Sequence, residues 1–333
     1  MNKKKKFMIR RLFLGIFLLI IVIIIGFLAY SFLHSSNKKV PKNVNTNITN
    51  SNSTTNINST STTSNQNKII QGNNIIESAK SYAVPANQVA QILAGHSNLK
   101  TKEVFLTFDD GPSQNSEEIL KILKENDVHA TFFILGSQLA NNPQMQQVVK
   151  DEIYQGNAIA NHSYSHDYKK LYPNNVLNIS NTMDEINETN KILQNILGSD
   201  FDARVLRLPG GYMSRCYYKD PNLSLFNKTL DDAHITSIDW DAETGDATTG
   251  GQMSTQTLVN NAMNHINNLN QPVILMHDSS TKKETVEALP YLIKALKDKG
   301  YKFMVIENAP ISSFDNLPYT TTTGSNQGQG TLN

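Results

Sequence analysis

Chemistry in this chain would have to come from a few polar clusters that interrupt apolar runs. The first closes the run Leu106-Thr107-Phe108-Asp109-Asp110-Gly111-Pro112. Two adjacent carboxylates at that point are costly to hide in a core. In extended backbone neighbours point to opposite sides, so one acid can serve as a ligand and the other as a base. The plainer alternative is a polar turn, for which Asp-Gly-Pro is ordinary chemistry. The second cluster is Asn161-His162-Ser163-Tyr164-Ser165-His166. Two imidazoles four residues apart can meet one cation on a helical turn or curled loop, and such donors suit Zn²⁺ and similar ions. With one carboxylate they give three ligands and leave positions open for water and substrate, as in a catalytic site. The alternative is a pair of structural histidines.

Three further clusters follow other apolar runs: Arg207-Leu208-Pro209-Gly210-Gly211, Asp239-Trp240 with the only tryptophan, and Leu275-Met276-His277-Asp278. Each is weak alone, because Arg207 can be a surface charge and Trp240 simple core. Five such clusters, each at the end of an apolar run, point to one site. Cys216, the single cysteine, has no His/Asn arrangement around it that would make it a nucleophile.

The elements that must position these residues are readable from periodicity. Short strand-like runs lie at 104–108, 130–135, 158–160, 204–208, 235–238, 273–276 and 303–306. Amphipathic helical stretches separate most of them, clearest at 116–125, 176–197, 256–269 and 283–299. Ser116 reads as a helix start and Gly300 as the stop of the last helix. Strand and helix repeated about seven times imply a parallel sheet, and the spacing predicts a distorted (β/α) barrel of about seven parallel strands. A doubly wound open sheet is the alternative. Active sites of such folds sit beyond the carboxyl ends of the strands, where the clusters fall.

Charge is unevenly spread. Residues 1–76 carry ten Lys/Arg and no acid, which leaves 20 basic against 29 acidic residues in the remainder. An acidic body is a poor partner for nucleic acid, whose phosphates need a basic surface. One cysteine precludes an intramolecular disulfide. Leu12 to Leu33 is 22 residues without a charge, long enough for a helix to cross a bilayer. Lys3 to Lys6, Arg10 and Arg11 before it predict a cytoplasmic N-terminus and an external remainder. A cleaved signal peptide would have a shorter apolar stretch and a small-x-small site. Residues 34–74, mostly Asn, Ser and Thr, read as a disordered tether with an r.m.s. reach of about 35 Å. The expected organisation is a basic segment at 1–11, a transmembrane anchor at 12–33, the tether at 34–74, a helical lead-in at 75–100 broken at Pro85, a catalytic domain at 101–310 and a disordered tail at 311–333.

With all five clusters in order, the chain resembles the polysaccharide deacetylases of the NodB homology type, carbohydrate esterase family four. Their motifs T-F-D-D-G, H-[ST]-x-x-H, R-x-P-x-G, Asp-Trp and L-x-H match Thr107–Gly111, His162–His166, Arg207–Gly211, Asp239-Trp240 and Leu275–His277 over residues 100–306. The resemblance implies a membrane-tethered N-deacetylase of cell-wall glycan, most directly of N-acetylglucosamine in peptidoglycan. It implies that Asp110, His162 and His166 hold one divalent ion, zinc or else cobalt, manganese or nickel, which activates water and polarises the acetamide. Asp109 would be the general base, His277 the acid that protonates the departing amine, and Asp239 the residue that tunes His277. Arg207 would hold Asp109 in place, and the Gly210 N–H would face the oxyanion. Trp240 and Leu275 would border the substrate. Where relatives often carry an aromatic after the motif proline, this chain has Gly210, and Tyr212 is the candidate to supply a displaced ring. Other acetylated polymers (N-acetylmuramic residues, poly-N-acetylglucosamine, chitin oligomers, acetyl-xylan) are alternative substrates, and a non-catalytic glycan-binding wall protein is the alternative class. The His pair lacks the intervening Glu of a helical metalloprotease motif.

Overall fold

The computed structural model describes residues 67–97, 99–247 and 253–314. Nine strands follow in order: β1 (Ala83–Pro85), β2 (Glu103–Gly111), β3 (Thr131–Ile134), β4 (Ala158–Asn161), β5 (Val205–Leu206), β6 (Thr236–Ser237), β7 (Ala242–Glu243), β8 (Val273–His277) and β9 (Lys302–Glu307). Every ladder between them is parallel. From β2 the sheet runs through β3, β4 and β5 to β6 in one direction and through β8 to β7 in the other. Among the described residues no ladder joins β6 to β7, so the ring is a barrel with one open seam. β9 pairs with the first residues of β2 and carries β1 on its far side. The expectation of about seven parallel strands in a distorted barrel therefore holds, with β1 and β7 added. Two or three residues, one of them Pro85, are too few to show a strand period.

Alternation along β2 sorts its side chains. Phe105 faces a small inner cluster with Phe133, Ala160, Val205, Ile238, Val273 and Ile306. Val104, Leu106 and Phe108 face the larger outer cluster under the helices. Thr107 and Asp109 continue the inner row toward the carboxyl ends of the strands. Truncating a buried ring such as Phe105 would remove about 3–5 kcal/mol.

Among the described residues ten helices cover the outside: α1 (Ala86–Leu93), α2 (Gln114–Glu125), α3 (Gly136–Leu139), α4 (Pro143–Tyr154), α5 (Tyr168–Leu171), α6 (Ile179–Leu197), α7 (Tyr212–Tyr217), α8 (Leu223–Asp232), α9 (Thr255–His265) and α10 (Lys283–Asp298). The cap of α2 is Ser113, not Ser116. Ser113 accepts from the Asn115 N–H, and the Ser116 hydroxyl in turn accepts from the Ser113 N–H. Gly300, with φ +82°, follows α10 as expected.

Three boundaries differ from expectation. Ile69 is buried in the outer core, and the Gly72 carbonyl accepts from Asn308, so part of the expected tether belongs to the folded body. The lead-in is a 3₁₀ turn (Glu77–Tyr82), then β1, then α1. Residues Ile311–Phe314 form a 3₁₀ turn whose Phe314 meets His234 edge-on. The expected transmembrane helix at 12–33 lies outside the described residues, and no described helix is long and apolar enough to cross a membrane.

Candidate metal centre and active site

The five clusters converge at the carboxyl end of the barrel. Asp109 and Asp110 do not diverge as regular extended backbone would require. The ladder between β2 and β3 shifts register between Asp109 and Gly111, and Asp110 takes φ +74°. This bulge turns both carboxylates toward one imidazole: His162 Nε2 is 3.7 Å from Asp109 Oδ2 and 3.5 Å from Asp110 Oδ1. His166 Nε2 lies 3.6 Å from Asp110 Oδ1. The donor atoms of Asp110, His162 and His166 all fall within 4.8 Å of one another.

Two residues of the His162–His166 loop also carry the strain of a site. Ser163 and His166 have φ +70° and +56°, a region that side chains adopt at a cost. Glu185 of α6 holds the loop there. Its buried carboxylate accepts from the N–H groups of Tyr164 and Ser165 at 3.2 and 3.0 Å and from the Ser165 hydroxyl at 2.6 Å. Lys170 adds an ion pair at 3.0 Å. Nothing in the sequence marks Glu185 beyond a polar residue on the inner stripe of an amphipathic helix.

These residues fit a divalent cation. Asp110 Oδ1 is buried with no hydrogen-bond partner, an expensive state for a carboxylate oxygen unless a ligand completes it. His162 Nδ1 sits 2.8 Å from the Arg207 carbonyl. A carbonyl only accepts, so Nδ1 carries the proton and Nε2 turns its lone pair to the cluster. Burial, with His162 nearby, lowers the pKa of His166 and keeps that imidazole neutral.

Arg207 organises the rest. Fully buried, it donates from Nη1 to Asp109 Oδ1 and Thr107 Oγ1, both at 2.8 Å, and from Nε to the Ile238 carbonyl at 3.0 Å. Its Nη2 donates to the Asp239 carbonyl at 3.0 Å. The guanidinium lies 4.1 Å above the Phe133 ring and 5.6 Å from Trp240. A charge so enclosed needs each of these partners. The Gly211 N–H closes a turn onto Leu208 O at 2.8 Å, a turn in which the Gly210 N–H takes no part.

His277 stands beside Asp109 as its register partner on the neighbouring strand. Its charge partner is Asp246, not the expected Asp239. His277 Nδ1 lies 2.9 Å from Asp246 Oδ1, and the His277 N–H donates to Asp246 Oδ2 at 2.8 Å. Thr285 and Lys282 tie Asp246 down through its carboxylate and carbonyl. Burial alone would lower the His277 pKa, but the Asp246 hydrogen bond and charge, with Asp109 and Asp110 behind, raise it to about 9. Asp239 instead accepts from the N–H groups of Tyr212 and Met213 at 2.8 and 2.7 Å and anchors the start of α7. Asp239 is the acid that the resemblance implies, through the Asp-Trp motif. Asp246 shows only as an acid beyond Gly245 in an irregular stretch.

The remaining expected residues are placed less directly. Trp240 covers Arg207 and Gly211, where a Cβ would come 2.9 Å from its ring. Leu275 is buried two residues before His277, with Thr107 as its ladder partner, and serves as floor rather than rim. Tyr212 packs inward against a cluster containing Leu208 and Phe226. Burial pushes its hydroxyl up to about 12, and Asn227 and Cys216 engage it. Asp278 lies beneath Gly111, and burial first, with Asp110 and Asp109, raises its carboxyl to about 7.

A family model for polysaccharide deacetylases matches residues 96–221. A peptidoglycan-N-acetylglucosamine deacetylase of Bacillus cereus is 31% identical over 242 residues, which span 71% of this chain and 80% of that protein. The chain belongs to the polysaccharide deacetylase family. Among solved structures of this family, a Streptococcus mutans CE4 esterase superposes with a TM-score of 0.66 at 34% identity, covering 73% of this chain and 99% of that one. A polysaccharide deacetylase from Bacillus cereus superposes with a TM-score of 0.51 at 29% identity, covering 61% and 91%. The deacetylase fold thus spans the described body, and the rim where Asp109, Asp110, His162, His166, Arg207 and His277 meet is its candidate site.

Proposed function

We propose that this protein is a metal-dependent N-deacetylase of cell-wall glycan, acting on N-acetylglucosamine of peptidoglycan. The observation that carries the reading is the convergence of three cation donors with a carboxylate on one side and a protonated histidine on the other. Asp110, His162 and His166 would hold the ion, which when bound supplies Lewis acidity and a readily ionised water. Asp109, clamped by Arg207, is aimed to take the proton of the attacking water. His277, kept charged by Asp246, delivers a proton to the departing amine, which an amide needs because an amide anion is a poor leaving group. The Gly210 N–H supplies a donor for the oxyanion, and removing such a donor typically costs ~10²–10³ in rate.

Wall glycan is the substrate supported by the name of the Bacillus cereus relative. It is supported too by the charge-free 12–33 segment with Lys3–Lys6, Arg10 and Arg11 before it. That pattern favours a single-pass anchor with a cytoplasmic N-terminus and an extracellular catalytic domain. The Asn/Ser/Thr-rich segment that follows would let the body reach wall near the membrane. The deciding experiment incubates the zinc-loaded chain with purified peptidoglycan and measures acetate and newly exposed amines. Free amines on glucosamine are expected. Folded, zinc-bound protein that releases no acetate would overturn the reading, and amines confined to muramic residues would transfer it to that sugar.

A further inference from the structure

Gly210 leaves a gap at the rim of the candidate site, and another loop fills it. With φ +76°, Gly210 would bring an added Cβ to 2.5 Å from the Tyr168 hydroxyl. The space a side chain would need after Pro209 is thus occupied by a tyrosine from the first turn of α5. Tyr212, the nearer candidate in sequence, packs inward and does not compete for it.

Tyr168 combines exposure with rigid support. It is 47% exposed, yet its ring meets His166 edge-on at 5.3 Å between centroids. Behind it the Tyr172 ring lies 5.5 Å away, also edge-on. Tyr172 is buried, donates its hydroxyl to the Pro209 carbonyl at 3.0 Å, and carries the Arg215 guanidinium 4.2 Å over its ring. A lone exposed aromatic needs no explanation. One braced through the Arg207–Gly211 loop, and a ring's width from a cation donor, is a prepared surface.

We infer that Tyr168 is the aromatic surface against which the sugar bearing the acetamide packs, and so a specificity-determining residue for an amino-sugar glycan. The inference rests on the deacetylase reading. A pyranose presents an apolar C–H face and a polar rim. A fixed aromatic ring matches the face and costs little conformational entropy to order, while the tyrosine hydroxyl stays at the edge. In this chain the surface comes from the loop after His166 instead of the loop after Pro209.

The test uses the full, metal-loaded chain and an N-acetylglucosamine tetramer, with KM and kcat read from acetate release and Kd from calorimetry. Tyr168→Ala is expected to raise KM and Kd about tenfold or more while kcat changes less than about threefold. Tyr168→Phe keeps the ring and should stay within about twofold of the parent on both. Tyr168→Leu keeps apolar bulk without a flat face and should follow the alanine variant. Variants that bind as the parent does, or that lose kcat at constant KM, overturn the assignment. A parent chain that binds the tetramer but releases no acetate overturns the deacetylase reading instead.

Discussion

A histidine serves as an acid only if it holds its proton at the working pH, and His277 does so through Asp246. Its pKa of about 9 lies above the ordinary 6.5 although burial pulls the other way. A raised histidine contributes stability in full below pH ~6.5 and loses it as pH rises through its folded value. The same titration should set the basic limb of kcat/KM. Asp246→Asn removes the charge that opposes burial, so the limb should move down by about two pH units and the rate at pH 8 should fall by about tenfold. Asp239→Asn leaves the His277 pair intact, so any loss should come without displacement of that limb. A pH–rate profile for both variants separates the two acids. An unmoved limb in Asp246→Asn, or a moved one in Asp239→Asn, would reverse the assignment.

The strand ends supply the candidate catalytic groups, and the helices aim them. Glu185 shows this most clearly, since α6 reaches across to hold the loop between His162 and His166 by three hydrogen bonds. Glu185→Ala should weaken metal binding ~10–100-fold, the usual cost of losing such outer support, with the barrel still folded. A calorimetric metal titration beside a circular dichroism melt measures both. Much of this scaffold was legible. The apolar runs located seven strands, and α6 and α10 followed from their helical period and from Gly300. The bulge at Asp110 was not, because a register shift depends on the neighbouring strand and leaves no periodic trace. Asp246 escaped for a related reason: it sits in an irregular stretch and meets His277 only through the closure of β8 beside β7. Two-residue strands such as β5 and β6 sat within longer apolar runs, so their place was clear and their length was not. Ile69 escaped because a short apolar pair in an Asn-rich stretch carries no period.

At the largest scale, the described body has an inner face of apolar side chains that ends in a polar rim. Arg207 is the joint between them, with its guanidinium on Phe133 and its donors on Asp109 and the backbone of the Ile238–Asp239 turn. The charge division along the chain leaves an acidic body ill-suited to nucleic acid. On the proposed reading, everything at the rim depends on a cation shared by Asp110, His162 and His166. The direct measurement titrates zinc into the chelator-stripped full chain and follows both bound metal and acetate release from N-acetylglucosamine oligomer. Activity should rise in proportion to occupancy and saturate at one ion per chain, and His162→Ala should lower both together. Full acetate release by the metal-free chain, or an occupied site that leaves the acetamide intact, would contradict the account.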